Sequence, residues 1–335
     1  MMTAVVLGLL ASRGSISGAQ DWGSVEIGGH SIPPGSKTKF TPRTGATFEE
    51  GFFDLPVFVA RGIRPGPFAC VISGIHGDEI NGYESSRRVF AEVDPEDLAG
   101  TLAILPAVNI HGFRSGNRYL SDRRDLNRYF PGKRSGSVAS YLAHAVFQRF
   151  VRRCAFLIDL HTASLKRDNL PQIRVDLEHQ PSVRVAREFG LGLIVGGKGP
   201  DGSLRREAVR AGIPTIIYEA GEPHRFDEAS IASGARGILN VLKRREMIRG
   251  EPESDELVFV RESRWVRAPL RGGGFFFPTE PLGAEVREGQ VIGFIVEPLT
   301  DAKLDIVSPV SGRIIGQAYA QPVLSGYALI HVGLM

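Results

Sequence analysis

The run Val71-Ile72-Ser73-Gly74-Ile75-His76-Gly77-Asp78-Glu79 decides how this chain is read. An apolar strand, Phe68–Ser73, passes through two glycines into a stretch of helical spacing, Glu79–Val93. Short, fully apolar strands that alternate with amphipathic helices indicate an α/β sheet buried on both faces. In open sheets of this kind ligands collect beyond the carboxyl ends of the strands, where loop side chains and helix N-termini converge. A His and a Glu three residues apart across such a turn can aim at one point, and glycine at 74 and 77 permits the tight path.

The same alternation extends outward. Strands are expected over 55–60, 101–108, 155–160, 191–195 and 213–218, and helices over 137–152, 182–189, 202–211 and 226–245. The expected fold is a central mixed, mostly parallel sheet with helices on both faces. Residues 14–50 are rich in Gly, Ser, Thr and Pro, with strand-like patches only, and Gly250–Glu256 reads as a linker. Beyond it come short β runs separated by Gly and Pro turns, at 257–260, 265–268, 274–277, 291–296, 312–315 and 328–332, with no convincing helix. Three regions follow: an N-terminal extension over 1–50, a catalytic domain over 51–252 and a small all-β, barrel-sandwich-like domain over 253–335.

Composition narrows the class. A chain of 335 residues, 42% hydrophobic and 23% charged, has ample material for a core and needs neither metal nor disulfide to fold. The net charge of +3 and the absence of a nucleic-acid-reading motif argue against a nucleic-acid binder. No apolar run approaches the ~20 residues that span a bilayer, so no membrane role is expected. The apolar start, Met1–Ala11, lacks a basic leader and reads as an expressed start or a buried strand, with a poor signal peptide as the lesser alternative. Cys70 and Cys154 sit in apolar runs and read as small core residues, which suits a reducing, cytoplasmic setting.

A second strand, Phe156-Leu157-Ile158-Asp159-Leu160-His161, ends on a histidine, with Asp159 placed either to hold the second ring nitrogen or to cap a nearby loop. Together His76, Glu79 and His161 make a three-ligand zinc set with a fourth position open to water. Hydrolysis also wants a base. Ile216-Ile217-Tyr218-Glu219 delivers a carboxylate to the same rim, and Glu222 is its nearest rival. The long, Arg-dense, non-periodic connection from Asn109 to Arg128 supplies guanidinium forks suited to a carboxylate or an oxyanion, without saying which Arg does which.

His76-Gly77-Asp78-Glu79, the segment from Asn109 through Asp125-Leu126-Asn127-Arg128, Asp159-Leu160-His161 and Tyr218-Glu219 together resemble the succinylglutamate desuccinylase/aspartoacylase family of zinc carboxypeptidase-like hydrolases. The resemblance spans roughly residues 50–245 by motif. It implies that His76, Glu79 and His161 ligate one Zn2+ per chain, that Arg118 polarises the scissile carbonyl, that Asn127 and Arg128 hold a substrate carboxylate, and that Glu219 is general base and acid. The stretch Leu120-Ser-Asp-Arg-Arg124 is slightly longer than in aspartoacylases, which leaves Arg114, Arg123 and Arg124 beside Arg118 as neighbours in the role. His111 is expected to be a loop residue and not a ligand.

Val286–Gly293 and Ser308–Ile315 resemble the half-barrels of biotinyl and lipoyl carriers, but Lys303 stands too near Ser308 for a carrier hairpin. The resemblance makes this segment a wall beside the active-site mouth. The expected function is therefore a zinc-dependent amidohydrolase that deacylates a small, carboxylate-bearing N-acyl amino acid, with homo-oligomerisation left open. The alternatives are a metallocarboxypeptidase acting on peptide C-termini and a non-catalytic binding module on the same fold.

Overall fold

A computed structural model describes residues 23–46, 52–270 and 272–335, so the apolar start at Met1–Ala11 lies outside the described residues. The sheet is built from β1 (Ser36–Phe40), β2 (Val57–Arg61), β3 (Arg64–Ser73), β4 (Ala99–Leu105), β5 (Phe156–His161), β6 (Arg167–Val175), β7 (Leu193–Gly196) and β8 (Thr215–Gly221). Their order is β1-β2-β4-β3-β5-β8-β6, with β7 beside β6. β4, β3, β5 and β8 run parallel, whereas β1 and β2 pair antiparallel to their neighbours and β6 pairs antiparallel with β8 but parallel with β7. Parallel pairing is thus confined to the centre and to β7, and the sheet is more mixed than its short apolar runs suggest.

Period-two alternation explains the two cores. Ala69, Val71 and Ile158 face helices Asn81–Glu92, Gln180–Phe189 and Glu228–Arg244. Cys70, Ile72 and Leu157 face helices Val138–Arg149 and Leu204–Arg210. Local chemistry sets the ends of these helices: Asp227 Oδ1 accepts from Ser230 N at 2.7 Å, an N-cap that starts the last one.

β6 breaks the expected pattern. Its sequence, Arg-Asp-Asn-Leu-Pro-Gln-Ile-Arg-Val, mixes polar residues with a proline and carries no strand signal. Yet it is an internal strand, irregular between Asn169 and Gln172 where it pairs with β8. It also joins the C-terminal segment to the sheet, because Gly312–Ala318 pairs antiparallel with β6 at Arg167↔Ala318 and Asn169↔Gly316. Ala328–Gly333 and Ser263–Arg267 continue the sheet outward. A second sheet, ordered Lys303–Val307, Val291–Val296, Gly274–Pro278, Gln321–Val323, closes over a core that includes Phe276, Ile295, Ile314 and Leu329. Lys303 lies on a strand with its ammonium 4.0 Å from the Phe294 ring centroid. No helix among the described residues is long and apolar enough to cross a membrane.

The cysteines correct the expectation of two separate core thiols: Cys70 and Cys154 are bonded to each other, with Cα atoms 5.6 Å apart. β3 and β5 are paired at Ala69↔Phe156, which brings Cys70 and the approach to β5 side by side across 84 residues of chain. Only the register of the ladder brings the two together, so apolar flanks could not announce the bond. The pairing removes the argument from free thiols for a reducing compartment. Closing a loop of this size stabilises a fold by up to about 4.5 kcal/mol on the chain-entropy account. Denatured, unreduced protein should therefore titrate no thiols, and Cys70→Ala/Cys154→Ala should melt several degrees lower. Two titratable thiols, or an unchanged melting temperature, would remove the staple from the description.

Candidate active site

Three strand exits converge at the carboxyl end of the parallel centre. His76 follows β3 by a turn in which Gly74 adopts a positive φ of 62°. At Gly77 a Cβ would lie 2.0 Å from the Gly112 carbonyl carbon, so only glycine lets the connection from 109 to 128 pass this close. His161 is the last residue of β5, and Glu219 lies opposite it in the ladder on β8.

His76, Glu79 and His161 are all buried, and their donor atoms lie within 4.8 Å of one another. Glu79 Oε1 is 2.8 Å from His76 Nδ1 and accepts from Arg118 Nη1 at 2.9 Å. Glu79 Oε2 is 2.8 Å from His161 Nδ1 and accepts from Thr162 N at 3.1 Å. Each imidazole turns its other nitrogen to an aspartate: His76 Nε2 is 3.0 Å from Asp125 Oδ1, and His161 Nε2 is 3.0 Å from Asp159 Oδ2. That is the arrangement metal-binding histidines favour, with a carboxylate behind the ring and the opposite nitrogen turned to the metal position. The donor set, two imidazoles and one carboxylate, suits zinc.

The charges are mutually dependent. Burial alone would raise the Glu79 pKa, but His76 and His161 outweigh it and hold the carboxyl well below the ordinary range. Burial would lower the His161 pKa, and Asp159 and Glu79 push it well above the usual value instead. Asp125 is also depressed, against its burial, by His76 and Arg118.

Beside this cluster opens a cavity of about 230 Å³ lined by His76, Glu79 and His161 together with Arg118, Asn127, Arg128 and Glu219. All seven residues singled out in the sequence thus meet at one site. Of the arginines near 118, neither Arg114, Arg123 nor Arg124 lines it. Glu222 turns to a different recess with Asp168 and Asp227 and pairs with Arg225 at 3.0 Å. His111 is exposed and sits in the short helix Ile110–Ser115, not in a loop. Asn127 is partly committed elsewhere: its Oδ1 accepts from Leu204 N at 2.8 Å, at the start of helix Leu204–Arg210.

The sequence reading missed Arg167, Asn169, Arg174, Arg205 and Trp265, which also line the cavity. Asn169 Nδ2 donates to Glu219 Oε2 at 2.8 Å, and Arg174 Nη2 lies 2.9 Å from the same oxygen. Arg205 is 5% exposed, and its Nε and Nη1 have no hydrogen-bond partner among the described residues. Burial, and then Arg174, push its pKa down to about 10. The Arg167 guanidinium is 5.4 and 5.5 Å from the Trp265 and Tyr327 ring centroids and hydrogen-bonds Ser164, with no carboxylate partner among the described residues. Its pKa too is lowered, chiefly by burial. The one available signal was the basic doublet Arg205-Arg206 opening a helix; the polar strand β6 hid Arg167, Asn169 and Arg174.

Residues 65–245 match the Succinylglutamate desuccinylase/Aspartoacylase catalytic domain family. An N-alpha-acetyl-L-2,4-diaminobutyric acid deacetylase from Halomonas elongata is 26% identical over 254 residues, 72% of this chain and 74% of that protein. A succinylglutamate desuccinylase/aspartoacylase structure from Rhodobacter sphaeroides superposes with a TM-score of 0.80 at 29% identity, covering 88% of this chain and 94% of its own. An ectoine utilization protein from Ruegeria pomeroyi shares the fold with a TM-score of 0.82 at 23% identity, covering 91% and 97%.

A buried, unpaired guanidinium is costly to folding. Arg205→Met should therefore raise the unfolding free energy by about 1–3 kcal/mol, measured by denaturant titration; a loss of stability would show that Arg205 is structural. Asp159→Asn should weaken zinc binding by roughly 10- to 100-fold in chelator competition while the fold is kept.

Proposed function

Because the chain belongs to the succinylglutamate desuccinylase/aspartoacylase family, we propose that it is a zinc-dependent amidohydrolase that removes the acyl group from a small N-acyl amino acid. The observation that carries this reading is the His76, Glu79, His161 cluster opening onto a cavity that Glu219 and five arginines share. One Zn2+ held by these three residues would polarise the scissile carbonyl and make a water acidic enough to react near neutral pH.

The chain's own groups supply the rest. Glu219 accepts the proton of the attacking water and returns it to the departing amine. Arg118 is oriented by Glu79 and Asp125, at 2.9 and 3.1 Å, and stabilises the negative oxygen with donors its five-donor fork still has free. Asn127, through its amide nitrogen, and Arg128 hold a substrate carboxylate. Arg205 and Arg167, cations with no carboxylate partner among the described residues, add to this pull. The walls carry Arg118, Arg128, Arg167, Arg174 and Arg205 against Glu79 and Glu219. Such a lining favours a second carboxylate on the substrate over an ammonium, although the Halomonas elongata relative is named for a substrate that bears an amine. Trp265, from the all-β segment at 253–335, forms part of the wall and keeps the cavity to small substrates, which favours a deacylase over a peptidase.

The test is amine release from N-acetyl and N-succinyl derivatives of aspartate, glutamate and diaminobutyrate, and from C-terminal dipeptides, with zinc-loaded and chelator-treated protein. Chelator-sensitive release from the dicarboxylates, with diaminobutyrate derivatives and dipeptides much slower, is expected. Glu219→Gln should then lower kcat by about 10²–10⁴, and Arg205→Met should raise KM. Release from dipeptides alone would make the protein a peptidase, and silence from zinc-loaded protein would favour a binding role.

A further inference from the structure

Both groups that hold Glu219 grip the same oxygen. Asn169 Nδ2 donates to Oε2 at 2.8 Å and Arg174 Nη2 lies 2.9 Å from it, while Oε1 has no hydrogen-bond partner among the described residues. Two anchors on one oxygen fix the rotation of the carboxylate and present the other oxygen. Both anchors come from β6, the strand that ties the C-terminal segment into the sheet.

Asn169 is buried, and its ladder partner on the side of the C-terminal segment is Gly316, with Gly221 of β8 on the other. A Cβ on Gly316 would lie 2.6 Å from Asn169 Oδ1, closer than real Cβ contacts come. The next neighbour, His331 Cβ at 3.4 Å, is at ordinary contact distance. Gly316 is not among the positive-φ glycines, so its backbone accepts an L-residue without strain. The glycine at 316 therefore serves the Asn169 amide and not the course of its own strand. The flanking ladders are irregular at this point, that of β6 with β8 between Asn169 and Gln172 and that of Gly312–Ala318 with Ala328–Gly333 between Ile314 and Gly316. Bulges beside active sites re-aim side chains in this way.

We propose that Asn169, seated by Gly316 of the C-terminal segment and assisted by Arg174, is a positioning residue that aims Glu219. The proposal rests on the general-base reading of Glu219. It gives the C-terminal segment a second duty beyond walling the mouth: it sets the orientation of the proton acceptor through one missing methyl group. A hydrogen bond to a charged group is at stake, so its loss is expected to slow the reaction by between tenfold and about a hundredfold. Substrate affinity is spared at Gly316, which does not line the cavity.

The experiment is a double-mutant cycle on full-length, zinc-loaded protein, with the most active compound of the acyl amino acid panel as probe. Gly316→Ala should lower kcat at least tenfold with KM within twofold and with unchanged zinc content and melting temperature. Asn169→Ala should lower kcat similarly, and adding Gly316→Ala to it should cost nothing more, because both act through one amide. A crystal structure of Gly316→Ala should show the Glu219 carboxylate turned from its present position, a result that needs no turnover. Unchanged kcat with an unmoved Glu219, or effects that multiply in the double variant, would overturn the proposal. Should Gly316→Ala not fold, Asn169→Ala combined with Glu219→Gln serves the same purpose, and a further loss there overturns it. A Glu219→Gln protein as active as the wild type would sink the general-base reading instead, which keeps the two failures apart.

Discussion

The site depends on one buried carboxylate. Glu79 is 2% exposed and has its two oxygens shared among His76, His161, the Arg118 guanidinium and the Thr162 amide. A carboxylate taken out of water is costly unless its lone pairs are occupied, and removing one partner of such a buried group costs about 3–5 kcal/mol. Its four partners come from the turn after β3, the end of β5 and the long connection beyond β4. Glu79 therefore fixes where these segments stand relative to one another as well as completing the candidate metal cluster. Asp125 and Asp159 complete the frame from behind, each beside one imidazole, so the histidines face Glu79 through Nδ1.

The sheet makes this convergence possible. Parallel strands deliver all their carboxyl ends to one edge, so His76, His161 and Glu219 arrive there from three neighbouring strands without any long excursion of the chain. The antiparallel β6 then does what a parallel neighbour could not, because it brings its own beginning to that edge. Arg167 and Asn169 reach the site from that end, while Arg174, further along, still reaches Glu219. Glu219 stands where the two kinds of pairing meet, beside His161 on one side and Gln172 on the other.

How much of this could be read from the chain follows from where the information lies. The Gly74-Ile-His-Gly-Asp-Glu79 turn and the two strands ending near a charged residue are local patterns, and local patterns survive in one dimension. The helices expected over 137–152 and 226–245 appear at Val138–Arg149 and Glu228–Arg244 because periodicity and caps are local as well. The disulfide between Cys70 and Cys154 is a fact of register between β3 and β5, and flanking residues say nothing of register. β6 went unseen for a related reason. Its polar residues face a cavity, so they mimic the composition of a loop, and Pro171 sits at an irregularity where the ladder forgoes regular bonding. The residues hardest to see are therefore among those nearest the chemistry, as expected where function overrides local preference.

Arg205 shows the same tension in energetic form. A guanidinium with two buried nitrogens unpaired is a charge the folded chain would do better without. Nearby Arg118 meets two carboxylates and Arg174 meets one, so unmet charge is not the rule in this cavity. Arg205 and Arg167 are left over, and neither has an ion pair among the described residues. Charge placed at a cost to stability, beside the candidate metal cluster and a tethered carboxylate, is what the anionic substrate of the proposed function would complete. On that proposal the missing counter-charge is supplied by the substrate, and the cavity is electrostatically finished only when occupied.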